Sequence, residues 1–192
     1  MSFFLRSLRR TSLQRSKPLQ LQSAFTTTQR ATMKIQSIPM WTGSHDNYSY
    51  IVSDDPSKEA VIIDPANPPE VLPVLKKLTD SGDIKLTAII NTHHHRDHAG
   101  GNTQLLKTYS DTPVIGGKDC EKVTKTPANN STWKLGQITI KALHTPCHTQ
   151  DSICFYFEDG SDRAVFTGDT LFIGGQFSHI LMYLFNNSDV KS

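Results

Sequence analysis

An α/β sandwich, two β-sheets with helices packed outside them, is the fold class the sequence predicts, and three observations carry that expectation. From Met33 onward, short runs rich in β-branched residues are punctuated by Gly, Asn and Asp-Asp-Pro turns. Helical patterns fall between the later runs, an alternation that suits sheets covered by helices rather than an all-β or all-α chain. The residues with the most chemistry stand at the ends of strand-like segments, where loops on a rigid base carry function.

Lys34–Ile38, Tyr48–Ser53 and Ala60–Asp64 read as the first three strands. A helix follows over Pro68–Asp80, with Asn67 as N-cap, Pro68 at the first helical position, and Val71, Val74, Leu75 and Leu78 on one apolar face. Leu86–Asn91 is a largely apolar run of the kind found in a strand buried on both faces. It ends in Thr92-His93-His94-His95-Arg96-Asp97-His98, after which a helix is expected from about Gly100–Gly101 to Tyr109. Gln137–Leu143, Ile153–Glu158 and Ala164–Phe166 are the remaining strands.

At 192 residues the chain suits one domain with a real core. Its net charge of +2 conceals a division. Residues 1–32 hold Arg6, Arg9, Arg10, Arg15, Lys17 and Arg30 and no acid, which leaves 14 basic against 18 acidic residues elsewhere. The body is therefore mildly acidic and no nucleic-acid partner is expected. An Arg-rich, Ser-rich, acid-free leader over 1–32 reads as a mitochondrial transit peptide, which points to the matrix; a start at Met33 would give a cytoplasmic form. No stretch approaches the ~20 apolar residues of a membrane span. Cys120, Cys147 and Cys154 lack CxxC spacing and read as small buried residues in a reducing compartment.

A single histidine is more often a satisfied packing residue than a ligand. Four histidines and an aspartate within the six positions 93–98 are not explained by packing, and imidazole and carboxylate donors suit zinc, iron or manganese. In an extended segment His93 and His95 face one way and His94 the other, while a turn into a helix would bring Asp97 and His98 to a neighbouring position. One segment could thus serve two adjacent cations. His148, after the strand 137–143, and Asp169, at the Gly turn after 164–166, are candidates to complete the set.

Thr92–Asn102, Thr145-Pro146-Cys147-His148-Thr149 and Thr167-Gly168-Asp169-Thr170-Leu171-Phe172 together resemble the successive metal motifs of the metallo-β-lactamase superfamily in its glyoxalase II form. Asp46-Asn47-Tyr48 and Ile63-Asp64-Pro65 resemble it too, and the likeness runs from Met33 to Gly175. The resemblance implies the metallo-β-lactamase αββα sandwich. It implies two divalent metals, with zinc expected and iron or manganese as alternatives: His93, His95 and His148 on one, Asp97 and His98 on the other, Asp169 bridging. It also implies hydrolysis of a glutathione thioester, S-D-lactoylglutathione to D-lactate and glutathione, by water activated between metals held through Asp97 and Asp169. His94, His144 and His45 are not expected as ligands. A monomer is expected.

The departure lies at the end of the chain. Residues 176–192 do not resemble the family, so the sandwich is expected to be incomplete there, without the family's last metal histidine, its glutathione-contacting residues or its C-terminal helical domain; His179 is a poor substitute ligand. Two other readings stay open: a metal-binding chain without catalysis, and a persulfide dioxygenase of the same superfamily holding a single iron.

Overall fold

The structure, a computed structural model, describes residues 32–43 and 47–171. Residues 1–31 of the expected leader, His45, Asp46 and the divergent stretch 176–192 with His179 lie outside the described residues.

Strands β1 (Met33–Met40), β2 (Asn47–Asp54) and β3 (Glu59–Ile63) pair antiparallel. β4 (Lys85–Ile90) then joins β3 in parallel after the crossover through helix α1 (Pro68–Asp80), and β5 (Val114–Ile115) lies parallel beyond it. The second sheet is antiparallel throughout, in the order β6 (Thr132–Leu135), β7 (Ile138–His144), β8 (Ile153–Asp159), β9 (Asp162–Phe166).

The period-2 alternation of the first sheet divides its apolar residues between two cores. Tyr50, Val52, Val61, Ile63, Ala88 and Ile90 face the second sheet and meet Ile138, Ile140, Ala142, Phe155, Phe157 and Phe166. Ile51, Ala60, Ile62 and Ile89 face the other way, onto Val71 and Leu75 of α1 and onto Leu105. Both faces of β3 and β4 are thus covered, which is why their sequences are apolar at successive positions. The sandwich predicted from the sequence is present. Among the described residues, α1 packs on β1 and on the short helix that carries Leu105.

Helix α1 begins and ends where the sequence placed it, with Asn67 at the N-cap position, but the Asn67 side chain makes no capping bond. Its side-chain amide donates instead to Glu70 Oε2 at 2.5 Å, and the same oxygen accepts the backbone N–H of Trp41 at 2.9 Å. The helix expected from about Gly100–Gly101 to Tyr109 is present only as α3 (Asn102–Leu106), and a separate short helix, α2 (Arg96–Ala99), precedes it. The chain breaks at Gly100–Gly101 because it passes against the Pro65 carbonyl, which a Cβ at Gly101 would overlap. Of the cysteines, Cys120 and Cys154 are buried as expected, whereas Cys147 is exposed on the loop after β7. No helix among the described residues is long and apolar enough to cross a membrane.

Candidate metal centre

The site forms where β4, the β7–β8 loop and the turn after β9 end at the same edge of the sandwich. Asn91, directly after β4, is wholly buried; its N–H donates to Ile115 O at 2.8 Å and its side-chain amide donates to His98 O at 3.2 Å. Asn102 donates to Asn91 Oδ1 and to Glu121 O, each at 2.7 Å, so α3 is tied to the same strand end. From β2, the Asn47 amide donates to Asp97 O at 2.8 Å. These ties hold α2 against the sheet and with it Asp97 and His98.

The chain bends through Thr92–His94 instead of continuing as the expected extended run, yet the three rings still divide as predicted. His93 and His95 turn inward with ring centroids 4.7 Å apart, and His148 comes across from the second sheet to within 4.7 Å of His95 and 5.0 Å of His93. Donor atoms of His93, His95, His148 and Asp169 all lie within 4.8 Å of one another. Asp169 reaches this point from a tight turn in which Gly168 has φ +48 and a Cβ would overlap the Thr92 hydroxyl, so a glycine is required there. Its carboxylate stands between two rings, with Oδ1 3.2 Å from His98 Nε2 and Oδ2 3.3 Å from His148 Nε2. Asp97 is mostly exposed, its Oδ2 3.7 Å from His98 Nε2. All six predicted residues therefore meet at one edge. His94 points away, and His144 sits outside, its Nε2 3.0 Å from the Gln150 carbonyl.

Asp64 is the residue whose role sequence reading did not assign. It is 1% exposed, in the left-handed region at φ 49, and accepts three hydrogen bonds: from Thr92 N at 2.8 Å, from Thr92 Oγ1 at 2.7 Å and from His98 Nδ1 at 3.0 Å. A carboxylate behind an imidazole holds a proton on Nδ1; in the metal-free chain the protonated Nε2 donates to Asp169, and the same nitrogen would turn its lone pair to a cation bound there. The signals in the sequence were its place at the end of an apolar strand and the likeness of Ile63-Asp64-Pro65 to the family, neither of which names a partner.

The electrostatics follow from this packing. Burial and the neighbouring His98 push His93 down to about 4. His95 is lowered by its own burial and by His148. Burial alone would lower His98, but Asp64 and Asp169 outweigh it and raise it to about 10. Both carboxylates are held below the usual range by His98 despite their burial.

These shifts set the pH dependence of the metal-free chain. Between about 4 and the ordinary imidazole value of about 6.5, unfolded His93 and His95 bind more protons than folded ones, so stability rises with pH. From about 6.5 to about 10 the folded His98 binds more, so stability falls. Denaturant midpoints of chelator-treated protein should peak near pH 6.5. A midpoint that keeps rising through pH 8 would show that Asp64 and Asp169 do not hold a proton on His98.

Do the residues fit a metal? His93 Nε2 is buried and has no hydrogen-bond partner among the described residues, a costly state for a polar nitrogen unless a cation takes its lone pair. His95 Nδ1 and His148 Nε2 face each other at 2.9 Å beside it. Neutral imidazoles around a shared carboxylate are the donor set of a divalent transition metal. The His/Asp cluster is compatible with a dinuclear site.

Residues 42–192 match the Metallo-beta-lactamase superfamily. A probable hydroxyacylglutathione hydrolase of Schizosaccharomyces pombe is 50% identical over 141 residues, covering 73% of this chain and 55% of the relative. The cytoplasmic and mitochondrial hydroxyacylglutathione hydrolases of Saccharomyces cerevisiae are 48% and 41% identical, each over 74% of this chain and over 55% and 53% of their own lengths. The chain thus spans about half the length of the curated relatives it matches. A Staphylococcus aureus metallo-beta-lactamase crystal structure superposes with a TM-score of 0.61 at 26% identity, over 76% of this chain and 46% of that one.

Proposed function

The chain belongs to the metallo-β-lactamase superfamily, and from that premise we propose that it hydrolyses glutathione thioesters, converting S-D-lactoylglutathione to D-lactate and glutathione. The observation that carries this reading is the convergence of His93, His95, His148 and Asp169, with donor atoms within 4.8 Å of one another. The identities to hydroxyacylglutathione hydrolases support the substrate class. His93, His95 and His148 would hold one cation, Asp97 and His98 a second, and Asp169 both; zinc is the metal proposed, ahead of iron or manganese.

Divalent cations in this nest supply Lewis acidity toward a carbonyl and toward water. The chain's own residues do the rest. Asp64 keeps a proton on His98 Nδ1 and so presents its Nε2 inward. Burial of His93 keeps that ring neutral at physiological pH and available as a lone-pair donor. Asp169 places negative charge between the two sets of rings. The leaving thiolate, with an ordinary pKa of about 8.5, departs without a proton donor, so no general acid is asked of the site.

One chain supplies all six site residues, in keeping with a monomer. The acid-free leader favours mitochondrial import, with a start at Met33 giving a cytoplasmic form.

Purified full chain should carry about two metals and consume S-D-lactoylglutathione, followed by loss of thioester absorbance. Prolonged chelation should abolish turnover and zinc should restore it. Full metal occupancy without turnover would favour the non-catalytic reading; oxygen uptake on glutathione persulfide would favour a dioxygenase.

A further inference from the structure

Loops from different sheets must meet for the imidazole cluster to exist, and His94 is the one histidine of its run that turns away from that cluster. Its Nδ1–H donates to Asp151 Oδ1 at 2.6 Å. Asp151 lies on the β7–β8 loop that also carries His148, and it is only 4% exposed, whereas Pro146, Cys147 and His148 on the same loop are exposed.

The carboxylate is fixed from several sides. The Thr149 hydroxyl donates to the same Oδ1 at 2.7 Å, and Thr149 Oγ1 also lies 2.7 Å from Ser152 Oγ. Gly117 backs onto Asp151 so closely that a Cβ there would overlap its carbonyl and carboxylate. Cys120 Sγ lies 3.8 Å from Oδ2. A backbone bond from Ile153 N to Thr92 O at 2.8 Å ties the base of the loop to the histidine run but does not reach the exposed apex with His148.

We propose that Asp151 and His94 form a positioning clasp that sets His148 against His93 and His95 before a cation arrives. The proposal rests on the reading that these three imidazoles share one metal. Holding the His94 ring outward pins the bend at Thr92–His94, on either side of which His93 and His95 turn inward. Holding Asp151 fixes the loop three residues from His148. Without the clasp, an exposed apex must be ordered each time a metal is captured; outer partners of this kind typically alter metal affinity about 10–100-fold.

Zinc affinity of the full chain, measured by competition with a chromophoric chelator, tests this in His94→Ala, Asp151→Ala, Asp151→Asn and the double alanine variant. Each alanine variant should weaken one of two zinc equivalents by about 10–100-fold. The double should be no weaker than the worse single, because both changes open the same clasp. Asp151→Asn should recover most of the affinity, since its amide oxygen still accepts from His94 and Thr149. Cobalt(II) absorption should change for the weakened equivalent only. His94 is 39% exposed, so His94→Ala keeps the fold even where Asp151→Ala does not.

Wild-type affinity in both single variants, or additive losses in the double, would overturn the clasp. So would a third zinc equivalent lost equally in Asp119→Ala and Asp151→Ala. The donor atoms of His94, Asp119 and Asp151 lie within 4.8 Å of one another, and that result would make them ligands rather than a clasp. A wild-type chain that binds two zinc ions while these variants are unaffected defeats the clasp alone; one that binds none removes the functional reading as well.

Discussion

Asp169→Asn should lower turnover of S-D-lactoylglutathione by about a thousand-fold or more while leaving the fold in place. The carboxylate offers one oxygen to His98 Nε2 at 3.2 Å and the other to His148 Nε2 at 3.3 Å. Asparagine keeps the volume and one acceptor but replaces the second with an N–H₂ donor. Whichever way the amide turns, one side of the centre loses an anionic ligand and meets a donor where a lone pair is needed. The negative charge that offsets two cations and a ring of imidazoles is lost as well. Losing several kcal/mol of electrostatic stabilisation corresponds to about three decades in rate. The turn is built by Gly168 at φ +48 and by Thr167, whose hydroxyl donates to Leu171 O at 3.1 Å, and neither depends on the carboxylate. Metal content per chain, measured beside kcat, should fall below two while the circular dichroism spectrum stays unchanged. Turnover within tenfold of wild type at full metal content would mean that Asp169 does not serve both positions.

Much of this centre was legible because its donors are contiguous. His93, His95, Asp97 and His98 come from one short segment at a strand end, and the alternation expected of it separated His93 and His95 from His94 even though the chain bends there. His148 and Asp169 were legible through context, each in a turn directly after a β-segment. What the sequence hid lies in long-range pairings. Asp64 meets His98 across 34 positions and Asp151 meets His94 across 57, and no local periodicity marks a carboxylate that serves as another side chain's partner. Helix α1 was legible to both ends because Pro68 and the apolar face at Val71 and Leu75 agree with the tertiary packing. The separate helix α2 and the short reach of α3 were not, because the chain between them passes against a Pro65 carbonyl brought in from another part of the chain. Strand β6 is short, with only Leu135 fully buried, and so carries little alternation to read.

Asp64 is where these hidden pairings have their largest expected consequence. Asp64→Ala removes the carboxylate behind a 1%-exposed imidazole and strands the Thr92 N–H, so buried His98 Nδ1 and Thr92 N both lose their partner. Breaking a buried pair in this way typically costs about 3–5 kcal/mol, a large share of a domain's stability, and the variant should unfold at markedly lower denaturant. Asp64→Asn separates stability from metal binding. Its amide oxygen can still accept from Thr92 N, but its N–H₂ then faces His98 Nδ1 and favours the tautomer with the proton on Nε2. That proton sits where the lone pair should meet a cation, so the equivalent proposed for Asp97 and His98 should weaken by about 10–100-fold at a smaller cost in stability. Thr92→Val is the control. It removes the hydroxyl bond to Asp64 and the 3.2 Å contact with His93 Nδ1 but leaves the bond from His98, so it should cost only about 1 kcal/mol and spare the equivalent proposed for Asp97 and His98. Chelator competition with denaturant titration on the three variants checks the ordering. If Asp64→Asn binds both equivalents as wild type does, the carboxylate does not direct His98, and its burial serves the Thr92 turn alone.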